Sequence, residues 1–417
     1  MSGAGRPRWA LCWLLFGATA LSFLDRQVLS VLAPTVTAEF SMSNTAYSRV
    51  VFAFQLGYTV MFSVGGRLMD LLGARLGMAL SVGVWSLASA AHAAVTGPLG
   101  FGAARFFLGA GEGGAFPAAT KGAVEWFPLD KRVLAIGIAN GGSAFGAVLA
   151  PPVTAALAGW FGWRGAFLAT GLLGFVWLAA WLAAWLAAFR WAPRGLGATA
   201  SRVSPAAPLG PLLRDARVGK ILLARFLFDP VFYFYMFWIP QYLARERGFS
   251  LEQIGAWYWI PFLVLGISTI ASGRVSDLLV RRGWPPRQAR ATLLTCAALL
   301  TPVSWLAAAA PSAGWAIALM SGLMLAHGFW ITNFLGLLSD LFPAGAIATV
   351  TGLSGTAGGI GGMLSNLMIG PLVDRFSFTP AFAVSGILYP AALLILLRAV
   401  RLTGRGKSPL ASYTQRH

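Results

Sequence analysis

The sequence predicts an all-α membrane protein whose 12 transmembrane helices form two pseudo-symmetric six-helix bundles. Three observations predict it: 57% hydrophobic against 11% charged residues, twelve separable apolar tracts, and an internal duplication. Soluble domains carry about 25% charged residues, so an aqueous surface of ordinary size cannot be built from this chain. A soluble enzyme, a secreted disulfide scaffold and a disordered protein are excluded. At about 20 residues per crossing, twelve crossings consume about 240 residues and leave short loops.

Arg6 and Arg8 precede the first tract, 9–33, in the manner of a signal peptide. That tract continues past Asp25 and Arg26 without a convincing cleavage site, so a retained first helix is expected. Spans 2 to 6 fall at about 47–69, 77–96, 99–126, 133–157 and 166–189. Spans 7 to 12 fall at about 219–243, 253–273, 289–309, 314–341, 347–369 and 379–400. A bilayer offers no partner for free backbone groups and no tract alternates like a barrel strand, so all are helices. Residues 190–218 are rich in Pro, Gly, Ser and Arg and read as a cytoplasmic linker. It separates a first bundle, 1–189, from a second, 219–417, which ends in a short cytoplasmic tail. Cys12 and Cys296 lie far apart inside apolar tracts, and neither a disulfide nor a metal framework follows from them.

The net charge of +18 comes from cations that sit between the tracts, not on one face as a nucleic-acid surface would require. The termini and even-numbered loops hold 22 Lys and Arg, the opposite side only Arg49, Arg164, Arg245, Arg247 and Arg375. This bias puts both termini in the cytoplasm. Arg far outnumbers Lys, which hints at a GC-rich bacterial gene and hence an inner-membrane location.

Two pairs of segments repeat. GGRLMDLLGARLG (65–77) after span 2 matches SGRVSDLLVRRG (272–283) after span 8. WFPLDKRVLAIGIANGGSAFGAV (126–148) matches LFPAGAIATVTGLSGTAGGIGGM (341–363) at the starts of spans 5 and 11. Duplicated halves around a midplane site are an established transporter plan. Gly141, Gly142 and Gly146, echoed by Gly358, Gly359, Gly361 and Gly362, permit close helix approach.

A charge at bilayer depth costs several kcal/mol unless it is paired or faces a cavity. Asp25, Arg26, Arg105, Glu112, Arg225 and Asp229 sit at such depth. Arg225 and Asp229 are spaced i,i+4 and read as a structural pair. Arg105 and Glu112 are two helical turns apart and share a face of span 4, whereas the adjacent Asp25 and Arg26 diverge by about 100°. If span 1 faces span 4, two carboxylates and two guanidiniums meet in one polar space. The planar guanidinium fork suits a substrate carboxylate, and a carboxylate of variable access to water can carry a proton.

Gly66, Leu68, Asp70, Gly73 and Arg75 resemble the loop 2–3 signature of the major facilitator superfamily, with Leu71 where a basic residue is usual. FLDR (23–26), RFFLGAGEGGAFPAATKGAVEWFP (105–128) and IANGGSAFGAVLAPP (138–152) resemble its anion:cation symporter family. RFLFDPVFYFYMFWIP (225–240) and SDLFP…ATVTGLSG (339–355) are most similar to the bacterial hexuronate branch. The resemblance implies the major facilitator fold and proton coupling at Asp25 and Glu112. It implies substrate contact at Arg26 and a charge network at Arg105. It implies gating by Asp70 and Arg75, which the duplication extends to Asp277. Phe23 stands where some relatives carry Tyr.

Further candidate substrate contacts are Tyr58 in span 2, Asn140 and Ser143 in span 5, Tyr233 and Trp238 in span 7, and His327 and Asn333 in span 10. Aromatic and amide side chains on membrane helices also serve packing and interhelical hydrogen bonds. The expected function is proton-coupled import of an organic anion, a sugar acid by resemblance, with no cofactor, no nucleic acid and a monomeric state. The alternatives are an exporter, a reading weakened by Ala147 in place of Pro after the Gly142–Gly146 run, and a proton-independent facilitator of small carboxylates or other metabolites. No nucleophile–base pair, metal cluster or phosphate loop suggests an enzyme.

Overall fold

The computed structural model describes residues 5–191 and 209–402, and within them it contains helices and no strands. The helices run α1 (Gly5–Glu39), α2 (Asn44–Ala91), a 3-10 turn (His92–Ala94), α3 (Pro98–Gly113), α4 (Ala115–Trp126) and α5 (Leu129–Trp191). After residues outside the description come α6 (Leu209–Arg214), α7 (Ala216–Phe237), α8 (Ile239–Arg247), α9 (Leu251–Trp257) and α10 (Trp259–Arg281). The chain closes with α11 (Pro286–Leu300), α12 (Val303–Ala308), α13 (Ala313–Leu341), α14 (Ala344–Arg375) and α15 (Thr379–Leu402). Most of the expected linker, residues 192–208, lies outside the described residues, as does the tail beyond 402.

Starts and breaks follow local chemistry. Ser43 accepts from the Ala46 N–H to begin α2, and Ser250 with Gln253 forms a reciprocal cap on α9. Inside α2 and α5 the backbone leaves the helix at Gly73 (φ 74°) and Gly162 (φ 69°), a region where a Cβ is strained. Both fall where the sequence predicts a loop between spans. Pro117, lacking an N–H for the Gly113 carbonyl, accompanies the break between α3 and α4.

Among the described residues, eight helical stretches are long and apolar enough to cross a membrane, or nine if the α7–α8 pair, bent by 55°, is one span. One of the eight, Leu134–Leu186, has 53 residues. A straight helix of that length spans about 80 Å, over twice the hydrocarbon core, and this one contains the Gly162 break. The expected fourth span is divided between α3, of 16 residues, and α4, of 12, and neither it nor the expected second span, 47–69, is among these stretches. Large apolar side chains such as Leu87, Trp160, Leu299, Met368 and Leu394 are exposed, as a lipid-solvated surface requires.

The chain forms two compact units, Met1–Ser201 with Met236–Trp259, and Arg202–Tyr235 with Ile260–His417. In the first, α1 packs along α5 and α2 along α3. A Cβ at Gly142 or Gly146 would collide with the Phe16 or Ala20 carbonyl of α1, so α5 approaches α1 as closely as backbones allow. In the second, a Cβ at Gly361 of α14 would collide with the Phe226 carbonyl of α7. The repeated glycine runs therefore do the same packing job in each unit.

Residues 236–259 group with the first unit for a visible reason. Pro240 cannot donate to the Met236 carbonyl, which instead accepts from Ser30 (2.6 Å) and Tyr258 (3.1 Å). The Phe237 carbonyl accepts from Tyr47 at 2.9 Å. Three hydroxyls from α1, α2 and Tyr258 thus satisfy the carbonyls freed at the α7–α8 bend.

Candidate functional site

The first unit gathers the charges of α1 and α3. Arg26 is 2% exposed and Glu112 fully buried; Arg26 Nε and Nη2 both lie 2.9 Å from Glu112 Oε2. The guanidinium also sits over three aromatic rings, with centroids at 4.5 Å for Phe23, 4.5 Å for Tyr58 and 5.3 Å for Phe54. Such contacts favour a desolvated cation over a neutral group. Tyr58 is thereby placed against Arg26. Phe54, four residues earlier and stacked on Tyr58, belongs to the same face. The i,i+4 spacing from Tyr58 is a signal that could have found it.

Arg105 is 2% exposed, and its Nη1 donates to the Arg26 carbonyl at 3.2 Å. Its Nε and Nη2 are buried with no hydrogen-bond partner among the described residues. Arg105 lines a small cleft with Leu29, Ser30, Tyr47, Val51, Phe54 and Phe237. A guanidinium edge without an acceptor inside such a cleft is suited to a carboxylate.

Asp25 takes the opposite direction. It is 1% exposed, and Ser89 Oγ donates to its Oδ1 at 2.9 Å; Ser89 Oγ is 3.2 Å from Thr170 Oγ1. The expected divergence of Asp25 and Arg26 is thus realised, Asp25 toward α2 and α5 and Arg26 toward α3. The expectation of four charged groups open to a single polar space is corrected in one respect. Arg26 and Glu112 are joined to each other, and Asp25 faces hydroxyls on another side of α1. Ser89 and Thr170 carried no distinguishing mark in the sequence, where small hydroxyl residues recur throughout the apolar tracts.

Other candidates of the first unit are scattered. Trp238 is fully buried edge-on to Tyr47, with ring centroids 5.1 Å apart. Asn140 and Ser143 are half-buried on α5, where the Ser143 hydroxyl donates to the Asn140 carbonyl at 2.8 Å. Beyond the Gly73 break, the Arg75 carbonyl accepts from Trp181 Nε1 at 3.1 Å and its guanidinium lies 5.6 Å from the Trp185 ring. The Asp70 side chain lies outside the described residues.

In the second unit, Arg225 Nε pairs with Asp229 at 3.0 Å, the i,i+4 arrangement expected of a structural pair. His327 Nδ1 is 2.5 Å from the Tyr389 hydroxyl, and its ring stacks on Phe232 at 4.9 Å. Asn333 Nδ2 donates to Ser272 Oγ at 2.8 Å, linking α13 to α10. Tyr233 is buried on α7, where a Cβ at Gly362 would meet its ring. Asp277 is exposed on α10. No cluster of three metal-ligating side chains occurs among the described residues.

The family model of the Major Facilitator Superfamily matches residues 15–366. The hexuronate transporter of Escherichia coli K12 is 30% identical over 397 residues, covering 91% of each chain. The galacturonate transporter of Dickeya chrysanthemi is 31% identical over 282 residues, 64% of this chain and 80% of that one. The D-galactonate transporter of Escherichia coli O6:H1 is 26% identical over 418 residues. Among solved structures, a bacterial homologue of the human lysosomal transporter Spinster superposes with TM-score 0.73 at 20% identity, covering 95% of this chain and 97% of that chain. The xylose transporter of E. coli gives 0.73 at 14% identity, covering 94% and 96%. Both likenesses concern the fold.

Proposed function

The chain belongs to the Major Facilitator Superfamily, and from that premise we propose that it imports a sugar acid, a hexuronate or aldonate, together with protons. Relatives that cover most of the chain include transporters of hexuronate and of D-galactonate, which supports the substrate class. The carrier works by alternating access in twelve crossings. Its termini are cytoplasmic, its location is the inner membrane, and it acts as a monomer.

The observation that carries the coupling is the buried Arg26–Glu112 pair. While Glu112 is charged it occupies the Arg26 fork. Protonation of Glu112 removes the net charge that holds the fork, and a substrate carboxylate takes its place. The open Nε and Nη2 of Arg105 supply further donors. On the cytoplasmic side Glu112 gives up its proton, recovers Arg26 and displaces the substrate. Anion and proton then move together because the single buried charge of Arg26 offsets one carboxylate charge, and a second one left uncompensated there is costly. Asp25 is a second proton site. Asp70, Arg75 and Asp277 act in gating, while Tyr58 shapes the anion site through Arg26. Asn140, Ser143, Tyr233, Trp238, His327 and Asn333 are assigned to the sugar hydroxyls.

Purified protein in proteoliposomes tests the reading. Uptake of labelled glucuronate, galacturonate or galactonate should rise with an inward proton gradient. Equal rates with and without the gradient would favour a facilitator, and no uptake of any sugar acid would end the substrate assignment.

A further inference from the structure

Asp25 shares no hydrogen bond with the Arg26–Glu112 pair. Its Oδ1 accepts from Ser89 of α2, Ser89 Oγ lies 3.2 Å from Thr170 Oγ1 of α5, and Thr170 Oγ1 lies 3.2 Å from the Phe167 carbonyl. Ser89 is fully buried and Thr170 is 1% exposed. A hydroxyl has one proton to give and lone pairs to accept with, so each member can serve its neighbours in either sense.

We propose that Ser89 and Thr170 form a reversible hydroxyl chain that gives Asp25 Oδ1 a partner both as a carboxylate oxygen and as an acid, while Oδ2 has no hydrogen-bond partner among the described residues. With Asp25 charged, Thr170 donates to Ser89 and Ser89 donates to Asp25. With a proton on Oδ1, Asp25 donates to Ser89, Ser89 to Thr170, and Thr170 to the Phe167 carbonyl. Each hydroxyl keeps its own proton and only the O–H directions turn, so the sole proton gained is that on Asp25. No side chain need move, and no donor in the chain is lost in either state. A buried carboxyl satisfied in only one state would be locked there, since an unmet buried polar group is costly. The arrangement makes Asp25 a proton site separate from the guanidiniums that hold the anion, and its use in transport rests on the coupling proposed above.

The charged and titratable groups around Asp25 are Arg26 beside it on α1, Arg105 and Glu112 on α3, and His92 at the 3-10 turn, one helical turn beyond Ser89. Thr170 is the contact from α5. These groups set a common background that substitution of a neutral hydroxyl leaves in place.

The test is an infrared pH titration of the protein in lipid vesicles, following the carboxyl stretch that Asp25→Asn abolishes. In Ser89→Ala the charged form loses a charge-assisted donor, so the protonated band persists about one pH unit further into the alkaline range. Thr170→Val displaces the midpoint in the same direction, and Ser89→Thr, which keeps the hydroxyl, titrates close to the native protein. Unmoved midpoints in Ser89→Ala and Thr170→Val would overturn the proposal; if Ser89→Ala does not assemble, Thr170→Val decides it. Uptake indifferent to a proton gradient would instead sink the coupling reading while leaving the titration result standing.

Discussion

Arg26 meets Glu112 across α1 and α3 with two guanidinium nitrogens at 2.9 Å from a single carboxylate oxygen, both side chains shut away from solvent. A pair in this setting is stable only as a pair. Removing one member strands the other charge, at about 3–5 kcal/mol for buried pairs.

Glu112→Gln keeps the shape and removes the charge and the titration. Proton-driven accumulation should therefore be lost while exchange of labelled for unlabelled substrate across the vesicle continues. Arg26→Ala should be the more damaging change, with a lowered melting temperature in detergent and no exchange. Gradient-driven accumulation that survives Glu112→Gln unchanged would remove the pair from the coupling mechanism.

Arg105→Lys retains a cation but loses the planar fork. If the open Nε and Nη2 hold the anion, substrate affinity should fall by about 10- to 100-fold, the equivalent of one or two charge-assisted hydrogen bonds. Binding calorimetry with a sugar acid reads this directly, and an unchanged affinity would assign Arg105 to packing alone.

Gly146→Val places side-chain atoms where α5 lies against the Ala20 carbonyl of α1. Overpacking of this kind costs about 1–3 kcal/mol even where neighbours yield, and here the neighbour is backbone. The yield of monodisperse protein should drop sharply, whereas Gly137→Ala, at a position with open space, should behave as the native chain.

Outside the crossings, Asp215 gives a pH signature. Burial alone would raise its carboxyl, but hydrogen bonds from the Arg217 side chain and backbone N–H outweigh this and hold it below the ordinary carboxylate range. A depressed carboxylate contributes stability that is complete above its unfolded value of about 3.9 and is lost as pH falls through the lower folded value. Melting temperature should decline through that acid window in the native protein, and the decline should be shallower in Asp215→Asn. Parallel acid limbs in the two proteins would show that the pair adds nothing to stability.

Hydropathy and local backbone chemistry made the membrane class, the helical content and the loop at Gly73 legible in the chain alone, because each depends on residues a few positions apart. The motif resemblance to the superfamily was likewise readable in advance, and the family model and its relatives agree with it. Periodicity could say that Asp25 and Arg26 point different ways, since neighbours on a helix differ by about 100°. It could not say toward what. Glu112 lies 86 residues from Arg26, and Ser89 and Thr170 lie 64 and 145 residues from Asp25; those meetings depend on how α1, α2, α3 and α5 pack against one another. Helix packing is set by the summed fit of many side chains, including the glycines that let α5 press against α1, and no local pattern encodes that sum.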